Sequence, residues 1–251
     1  MRYFVKKNHS NFSNSLITEA QGLKALQSHI KKNQIQIKTP QVIDVNKTEL
    51  ILTHIDSYKP SIGLQQRLGV ELAKLHNIQQ NFCGFETDNY IGLNPQKNII
   101  SNNWGEFFWK FRLSYQVNLI KDNSIKHQFK HALDESHIKL VQWLNQNCNH
   151  FSLLHGDLWS GNVMYDNKNF RLIDPAPYFG DSETDLAMTE MFGGFSTEFY
   201  NSYQYIRPLS NIYTKKRTIY NLYHYINHYN LFGDGYLSAC IRGMKTLKNF
   251  K

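Results

Sequence analysis

Residues 153–162 read Leu-Leu-His-Gly-Asp-Leu-Trp-Ser-Gly-Asn, and Ile173-Asp174-Pro175 follow a short distance downstream. Between them, residues 163–165 and 170–173 are rich in apolar side chains and have strand character, whereas Asp-Asn-Lys-Asn at 166–169 is typical of a turn. The pattern predicts a β-hairpin with Asn162 and Asp174 side by side at its open end. The preceding loop brings Asp157 to the same place.

The segment from His155 to Asn162 matches the catalytic-loop pattern H-x-D-L-x-x-x-N of phosphoryl-transfer enzymes position for position. Such transfer depends mainly on positioning and on neutralising charge. Asp157 is therefore the candidate catalytic base, which orients an acceptor hydroxyl and takes its proton. Asn162 and Asp174 are candidate ligands of Mg²⁺, because this ion prefers hard oxygen donors. We expect His155 to brace the loop rather than to bind metal or act as a base.

Acidic residues also follow the hairpin. Asp185 lies in a predicted helix over residues 185–192, from which it can accept hydrogen bonds from the backbone amides of the catalytic loop. Asp185 can equally be an acidic residue that the helix dipole stabilises near the N-terminus of this helix, and the two explanations are compatible. Asp181 and Glu183 are expected to be ordinary surface charges.

The sequence upstream predicts a small α+β unit. It has a strand at residues 3–6, a helix over about 13–31, and two strands within 39–45 and 49–55. Glu19 projects between the apolar residues of the helix, where an unpaired carboxylate would be costly. Lys6 on the adjacent strand is the candidate partner, although a solvated Glu19 at the edge of the apolar stripe is equally compatible with the spacing.

A polar, proline-containing connector at residues 57–60 divides the chain. We expect residues 1–56 to form a small nucleotide-binding lobe, and residues 61–251 to form a larger, mainly helical lobe with the catalytic loop. The aromatic residues of this second part recur at helical spacing, so they are expected to form core rather than platforms for stacking bases.

The composition favours a folded protein of the cytoplasm. Hydrophobic residues make up 41% and charged residues 19%, which argues against disorder. No segment is apolar and long enough for a transmembrane helix, and no signal peptide is evident. The three cysteines are far apart, as expected in a reducing compartment. The net charge is +8, but lysine and arginine are spread along the chain, so no nucleic-acid partner and no membrane partner is expected.

These motifs resemble those of the fructosamine kinase (ketosamine-3-kinase) family, which is related to the aminoglycoside and choline kinases and shares the two-lobed α+β fold of protein kinases. Trp159-Ser160 and the Phe-Gly-Gly-Phe run at 192–195 distinguish this family from those relatives. The remaining matches are His155 to Asn162, Ile173 to Ala176, and residues 180–181, 185–188, 4–6, 19–23, 68–76, 88–92, 95–96, 104, 107–108 and 112–113.

The resemblance implies that ATP and Mg²⁺ are used to phosphorylate a sugar hydroxyl of a ketosamine, which is an amine or lysine glycated by a sugar. By motif position, Lys6 would contact the phosphates of ATP and pair with Glu19. His54 and Ile55 would lie at the hinge that meets the adenine. Trp159, beside the base, is the candidate to stack on the substrate sugar.

The chain departs from the family pattern at two places. Ser182 stands where the family usually has arginine. The family also has a glycine-containing hairpin that covers the phosphates before the strand of Lys6, whereas this sequence begins at that strand, so we expect an unpaired edge there. Either the start codon lies upstream, or the chain is truncated and binds nucleotide poorly. The alternative functions are a kinase of another small alcohol, similar to aminoglycoside or choline kinases, and an inactive pseudokinase. The sequence does not predict the oligomeric state.

Overall fold

The computed structural model describes residues 2–250. Its first part is an antiparallel sheet of three strands, β1 (Tyr3–Lys7), β2 (Val42–Val45) and β3 (Glu49–Thr53), in the order β1-β3-β2. Helix α1 (Ser15–Lys32) packs on this sheet, because its apolar stripe forms one buried cluster with two leucines of β3. The members of this cluster are Leu16, Ala20, Leu23, Leu50 and Leu52.

Strand β1 lies at the edge of the sheet. It pairs in antiparallel register with β3, from Tyr3 opposite Thr53 to Lys7 opposite Glu49. Tyr3, Phe4 and Val5 are all exposed. Within residues 2–250 no strand pairs with the other side of β1, as the sequence predicts.

The second part of the chain is mainly helical. Residues 54–61 have no regular secondary structure, and the side chain of Ser61 then caps α2 by accepting a hydrogen bond from the backbone N–H of Leu64. The division into lobes at 57–60 stays a prediction. The helices that follow are α2 (Ile62–His76), α3 (Trp104–Phe108), α4 (Tyr115–Leu119), α5 (Asn123–Gln146), α6 (Glu183–Thr189), α7 (Thr197–Ile206), α8 (Tyr213–Phe232) and α9 (Leu237–Leu247), with a π-helical segment at Trp109–Ser114.

Short antiparallel pairs of strands lie among these helices. The predicted hairpin is present, with Val163 opposite Leu172 and Tyr165 opposite Phe170. The six strands are β4 (Asn89–Ile91) with β5 (Asn94–Gln96), β6 (Ser152–Leu154) with β9 (Tyr178–Gly180), and β7 (Val163–Tyr165) with β8 (Phe170–Leu172). The pairing of β6 with β9 fixes the two ends of the segment that contains the catalytic loop and the hairpin.

The aromatic stripes form core, as predicted. Trp104, Phe107, Phe108 and Tyr220 are fully buried in one cluster of the helical part. Arg112 is also fully buried there, with its guanidinium 3.9 Å from the centre of the Tyr178 ring and a hydrogen bond of 2.8 Å to a backbone carbonyl. Ring faces and carbonyl oxygens thus replace the water that this charge loses. Within residues 2–250 no helix has both the length and the apolar character that crossing a membrane requires.

Candidate active site

The catalytic loop connects β6 to β7 and holds Asp157 at the mouth of a cleft. Gly156, just before it, has φ of 81°, and a Cβ at this position would overlap the carbonyl oxygen of Ala176. Only glycine fits this turn without strain. The side-chain nitrogen Nδ2 of Asn162 donates to the backbone oxygen of Asp157 at 2.8 Å and to Oδ2 of Asp157 at 3.2 Å, which fixes the carboxylate.

The hairpin brings Asn162 and Asp174 together, as predicted. The backbone N–H of Ile173 donates to the carbonyl oxygen of Asn162 at 3.0 Å, so the two segments are joined directly before Asp174. Asp174 has φ of 50°, in the left-handed region, and its side chain is about half exposed to the cleft. Aspartate tolerates this conformation better than most residues, because its short polar side chain bonds locally.

Lys6 joins the three-stranded sheet to this cluster. Its Nζ lies 2.9 and 2.8 Å from the two carboxylate oxygens of Glu19 and 3.1 Å from Oδ1 of Asp174. Burial favours the neutral amine, but the two carboxylates outweigh it and raise the pKa of Lys6. Burial also raises the pKa of Glu19, and Asp174 adds to this effect while Lys6 opposes it. Of the two explanations for Glu19, the structure supports the ion pair with Lys6.

Burial raises the pKa of Asp157 to about 7. The hydrogen bond from Asn162 stabilises the carboxylate and limits this rise, whereas the negative charges of Asp174 and Asp185 add to it. An acid with a pKa near 7 is about half ionised at neutral pH, and its carboxylate is more basic than that of an ordinary aspartate, which suits it to accept a proton.

Asp185 holds the catalytic loop from behind. Its carboxylate accepts hydrogen bonds from the backbone N–H groups of His155 at 2.7 Å and Gly156 at 2.9 Å, as predicted. The Nε2 of His76 lies 3.3 Å from the same carboxylate. Burial alone would favour the neutral acid, but these donors and the positive potential of His76 lower the pKa of Asp185 below its ordinary value. The residue is therefore an anion in the core, and it fixes the backbone of the loop.

His155 is fully buried, and both nitrogens of its ring have partners in the loop and the hairpin. Its Nε2 lies 2.9 Å from the carbonyl oxygen of Ile173, which can only accept, so Nε2 carries the proton. Its Nδ1 then accepts the backbone N–H of Asp157 at 3.3 Å. Burial lowers the pKa of His155, which keeps the ring neutral and in this tautomer.

Our expectation that Asp181 and Glu183 are surface charges is wrong. They are only 4% and 6% exposed, and the Nζ of Lys216 lies 2.7 Å from Asp181 and 2.9 Å from Glu183. Helix α8 brings Lys216 to the start of α6, a distant contact that the local sequence does not reveal. Ser182, between them, accepts a hydrogen bond of 2.9 Å from Nε of Arg207.

Trp159 lies on the surface of the cleft and meets Phe192 edge to face, with ring centres 6.0 Å apart. A Cβ at Gly161 would overlap the indole of Trp159, and one at Gly194 would overlap the hydroxyl group of Ser160. The Trp159-Ser160 pair and the Phe-Gly-Gly-Phe run thus pack against each other.

A cavity of about 500 Å³ lies over these groups. It brings together six of the predicted site residues, namely Lys6, Glu19, Asp157, Trp159, Asn162 and Asp174. His54 and Ile55 do not line it, and His155 and Asp185 lie beneath its floor. In the part of the chain that is described, from 2 to 250, no cluster of three or more histidine, cysteine or acidic residues is placed to hold a metal by itself.

The family model for fructosamine kinase matches residues 1–249 of the chain. The chain belongs to the fructosamine kinase family. It is 39% identical over 242 residues to a probable ketoamine kinase of Vibrio parahaemolyticus, covering 94% of this chain and 81% of that protein. It is also 39% identical over 249 residues to a chloroplastic protein-ribulosamine 3-kinase of Arabidopsis thaliana, covering 95% of this chain and 74% of that protein.

Solved structures confirm the predicted protein-kinase-like α+β fold. A crystal structure from Haemophilus somnus 129PT, provisionally named a fructosamine-3-kinase, is similar with a TM-score of 0.84 and 25% identity, covering 98% of this chain and 83% of that one. An ADP-bound aminoglycoside phosphotransferase has a TM-score of 0.63 at 14% identity, covering 99% of this chain and 88% of that one. At this low identity the second likeness shows the fold alone.

The cleft of this fructosamine kinase family member also contains residues whose role the sequence does not predict. Asn89, Tyr90 and Leu93 line it together with Lys6. The hydroxyl group of Tyr90 donates to Oδ1 of Asn14 at 2.8 Å, which joins β4 to the start of α1. For Asn89 and Tyr90 the only signal in the sequence is their place in the 88–92 motif, which marks them as family residues without saying what they contact, and Leu93 lies just beyond this motif.

Proposed function

We propose that this protein is an ATP-dependent kinase that phosphorylates a sugar hydroxyl of a ketosamine, such as a fructosamine or ribulosamine on an amine or on lysine. The observation that carries the proposal is the convergence of Asp157, Asn162, Asp174 and Lys6 in one cleft. Membership of the fructosamine kinase family and the names of its relatives support the choice of acceptor.

Asp157 is proposed as the catalytic base. Its Oδ2 is held by Asn162, so Oδ1 is the atom that accepts the proton of the acceptor hydroxyl. The hydroxyl oxygen forms a bond to the γ-phosphorus while the bond from that phosphorus to the oxygen of the departing ADP breaks. The carboxylate thus both orients the hydroxyl and takes its proton.

Lys6 is proposed to bind the phosphates of ATP, with Glu19 holding its ammonium in place. Both oxygens of Glu19 are within hydrogen-bond distance of Lys6, so this contact does not depend on Asp174. At the hinge, the backbone N–H of His54 already donates to the carbonyl of Arg2 at 3.0 Å. Contact with adenine would therefore use the carbonyl of His54 and the backbone of Ile55.

The residues of the cleft fit Mg²⁺. Asn162 turns its amide nitrogen to Asp157, which leaves its side-chain oxygen for a cation, and Asp174 presents a half-exposed carboxylate beside it. Two hard oxygen donors, with phosphates and water completing the shell, are a usual set for this ion. When bound, Mg²⁺ neutralises phosphate charge and orients the γ-phosphate.

Trp159 is proposed to stack on the sugar of the acceptor. Its exposed indole lines the cleft with Asp157, so a sugar on the ring would present its hydroxyl groups to the base. His155 and Asp185 do not touch substrate in this proposal. They position Asp157 through the backbone of the loop.

The proposal is tested by incubating the purified protein with Mg²⁺, ATP and fructosyl-lysine or ribulosyl-lysine, and by measuring ADP and the phosphorylated product by mass spectrometry. Asp157→Asn is the matched variant, and removal of a general base is expected to lower kcat by roughly 10²–10⁴-fold. Aminoglycosides and choline serve as competing acceptors. Turnover with only one of these acceptors would show that it, and not a ketosamine, is the substrate. Absence of turnover with every acceptor would overturn the proposal in favour of a pseudokinase.

A further inference from the structure

A second cavity, of about 950 Å³, lies on the other side of α1 from the catalytic cleft. We name it the rear cavity. It is formed by the C-terminal half of α1, by the segment that leads into β2, by the end of β3 and by Arg171 of β8. No residue lines both cavities, and of the residues assigned to the nucleotide only His54 borders the rear cavity.

The rear cavity is strongly basic. Lys24 and Lys31, with Gln27 and Ser28 between them, share one face of α1, and Lys38 faces them from the segment before β2. Within residues 2–250 none of these three lysines forms an ion pair, and no aspartate or glutamate lines the cavity.

The other two basic side chains of the rear cavity have acidic neighbours. Arg171 is paired with Asp166 of the hairpin turn, and Nδ1 of His54 lies 3.6 Å from Asp56. The positive charge available to a ligand is therefore that of the three lysines. All three lysines are exposed, so water and salt weaken their mutual repulsion, and their attraction for an anion carries the argument.

A buried hydroxyl group in the wall of the cavity also lacks a partner. Thr39 is only 7% exposed, and its Oγ1 makes no hydrogen bond to any described residue. Leaving a buried polar group unsatisfied is costly, so most such groups have a partner. A hydroxyl can donate to a phosphate oxygen, as can the ammonium groups that surround this space.

We propose that the rear cavity binds a small molecule that carries two or more phosphate groups. The cavity of about 950 Å³ has room for linked phosphates, which offer more acceptor oxygens to lysines on two elements than a single phosphate does. The Thr39 hydroxyl and the side chains of Gln27 and Ser28 supply neutral donors.

The position of the rear cavity connects it to the catalytic residues. The backbone of Lys38 pairs with β8, because the N–H of Leu172 donates to its carbonyl at 2.9 Å, and β8 leads directly to Asp174. Lys24 and Lys31 lie on the same helix as Glu19. A ligand that bridges these two elements therefore fixes the supports of both carboxylates that contact Lys6.

The test is isothermal titration of the full chain with pyrophosphate in the presence of EDTA. The cavity variant is Lys24→Ala/Lys31→Ala/Lys38→Ala. The charge-matched control is Lys121→Ala/Lys130→Ala/Lys245→Ala, which removes three exposed lysines elsewhere. Lys6→Met reports binding in the catalytic cleft. We expect saturable binding of pyrophosphate to the parent protein, to the control and to Lys6→Met. In the cavity variant the Kd should rise about tenfold for each lysine removed, so that binding is lost.

Loss in Lys6→Met with full binding in the cavity variant would overturn the proposal, because pyrophosphate would then occupy the catalytic cleft. Equal loss in both triple variants would overturn it as well, since net charge alone would explain the binding, and so would a lack of saturable binding. Thr39→Val provides an independent check. It removes a hydroxyl without a partner, so we expect a higher Tm without ligand and several-fold weaker binding of pyrophosphate.

Discussion

The ammonium of Lys6 lies 3.1 Å from a carboxylate oxygen of Asp174, across the cleft from β1 to the segment after β8. The same ammonium lies 2.8 Å from Glu19, so one cation serves two carboxylates that have different roles in the proposed reaction. Phosphates and a metal ion would draw Lys6 and Asp174 apart, whereas the pair of Lys6 with Glu19 can persist. We therefore expect the contact between Lys6 and Asp174 to give way when the nucleotide binds.

We expect Glu19→Gln to raise the KM for ATP about tenfold and to leave the KM for the acceptor unchanged, because Lys6 loses its buried anchor and turns to Asp174. Steady-state kinetics with each substrate varied in turn measures the effect. Glu86→Gln, at an exposed position that does not line the cleft, is the control. A similar rise in both constants would contradict the assignment of Glu19 to the nucleotide side.

The pH dependence of the reaction is expected to follow Asp157. Burial raises its pKa to about 7, and the base is active only when ionised. The value of kcat/KM for the acceptor should therefore rise with pH up to about 7 and level off above it. A profile without an acidic limb between pH 5 and 8 would exclude Asp157 as the base.

The same shift makes a prediction about stability. The folded protein keeps the proton on Asp157 up to about pH 7, whereas the unfolded chain releases it near the ordinary value of 3.8. Protonation of Asp157 thus contributes its full stabilisation of the fold below pH 3.8, and this contribution is lost as the pH rises to about 7. We expect the free energy of unfolding of Asp157→Asn to equal that of the parent protein near pH 4 and to exceed it by about 2 kcal/mol at pH 8. This figure is reduced from the full effect of the pKa shift because Asp157 is partly exposed. Urea denaturation at both pH values checks this, and an equal difference at both would contradict it.

The sequence predicts the parts of this site that depend on local pattern. The hairpin that joins Asn162 to Asp174 follows from two apolar runs around a turn, and the apolar stripe of α1 places Glu19 near the strand of Lys6. The sequence does not reveal Lys216 beside Asp181 and Glu183. Lys216 comes from α8, whereas Asp181 precedes α6 and Glu183 begins it, and a side chain whose partner is distant in sequence leaves no periodic signal. A charged residue is then predicted to be exposed from its type alone, even where a distant partner allows its burial.

We expect Trp159→Ala to raise the KM for the sugar acceptor about tenfold with little change for ATP, because stacking on an aromatic ring is lost. The matched control is Tyr205→Ala, which removes an exposed aromatic ring that does not line the cleft. Product formation at several concentrations of acceptor and of ATP gives both constants. An equal rise for both substrates would assign Trp159 to the shape of the loop rather than to the sugar.

Lys216→Met is expected to destabilise the protein by about 3–5 kcal/mol at pH 7, because it leaves two buried carboxylates without their cation. Urea denaturation measures the loss, with the exposed Lys130→Met as control. Adding Asp181→Asn and Glu183→Gln to Lys216→Met should restore part of the stability. A triple variant that is less stable than Lys216→Met would show that other contacts of the two carboxylates outweigh their charge.

The left-handed backbone of Asp174 determines which inactive variant suits crystallography of a complex with ATP and acceptor. At φ of 50°, alanine would be strained, and asparagine is the replacement that keeps the chain path. Even so, Asp174→Asn removes a negative charge beside Lys6 and a proposed ligand of the metal. Asp157→Asn retains both, and its backbone requires no unusual conformation. A crystallographer who wishes to trap both substrates before reaction should therefore change Asp157 and leave Asp174 intact.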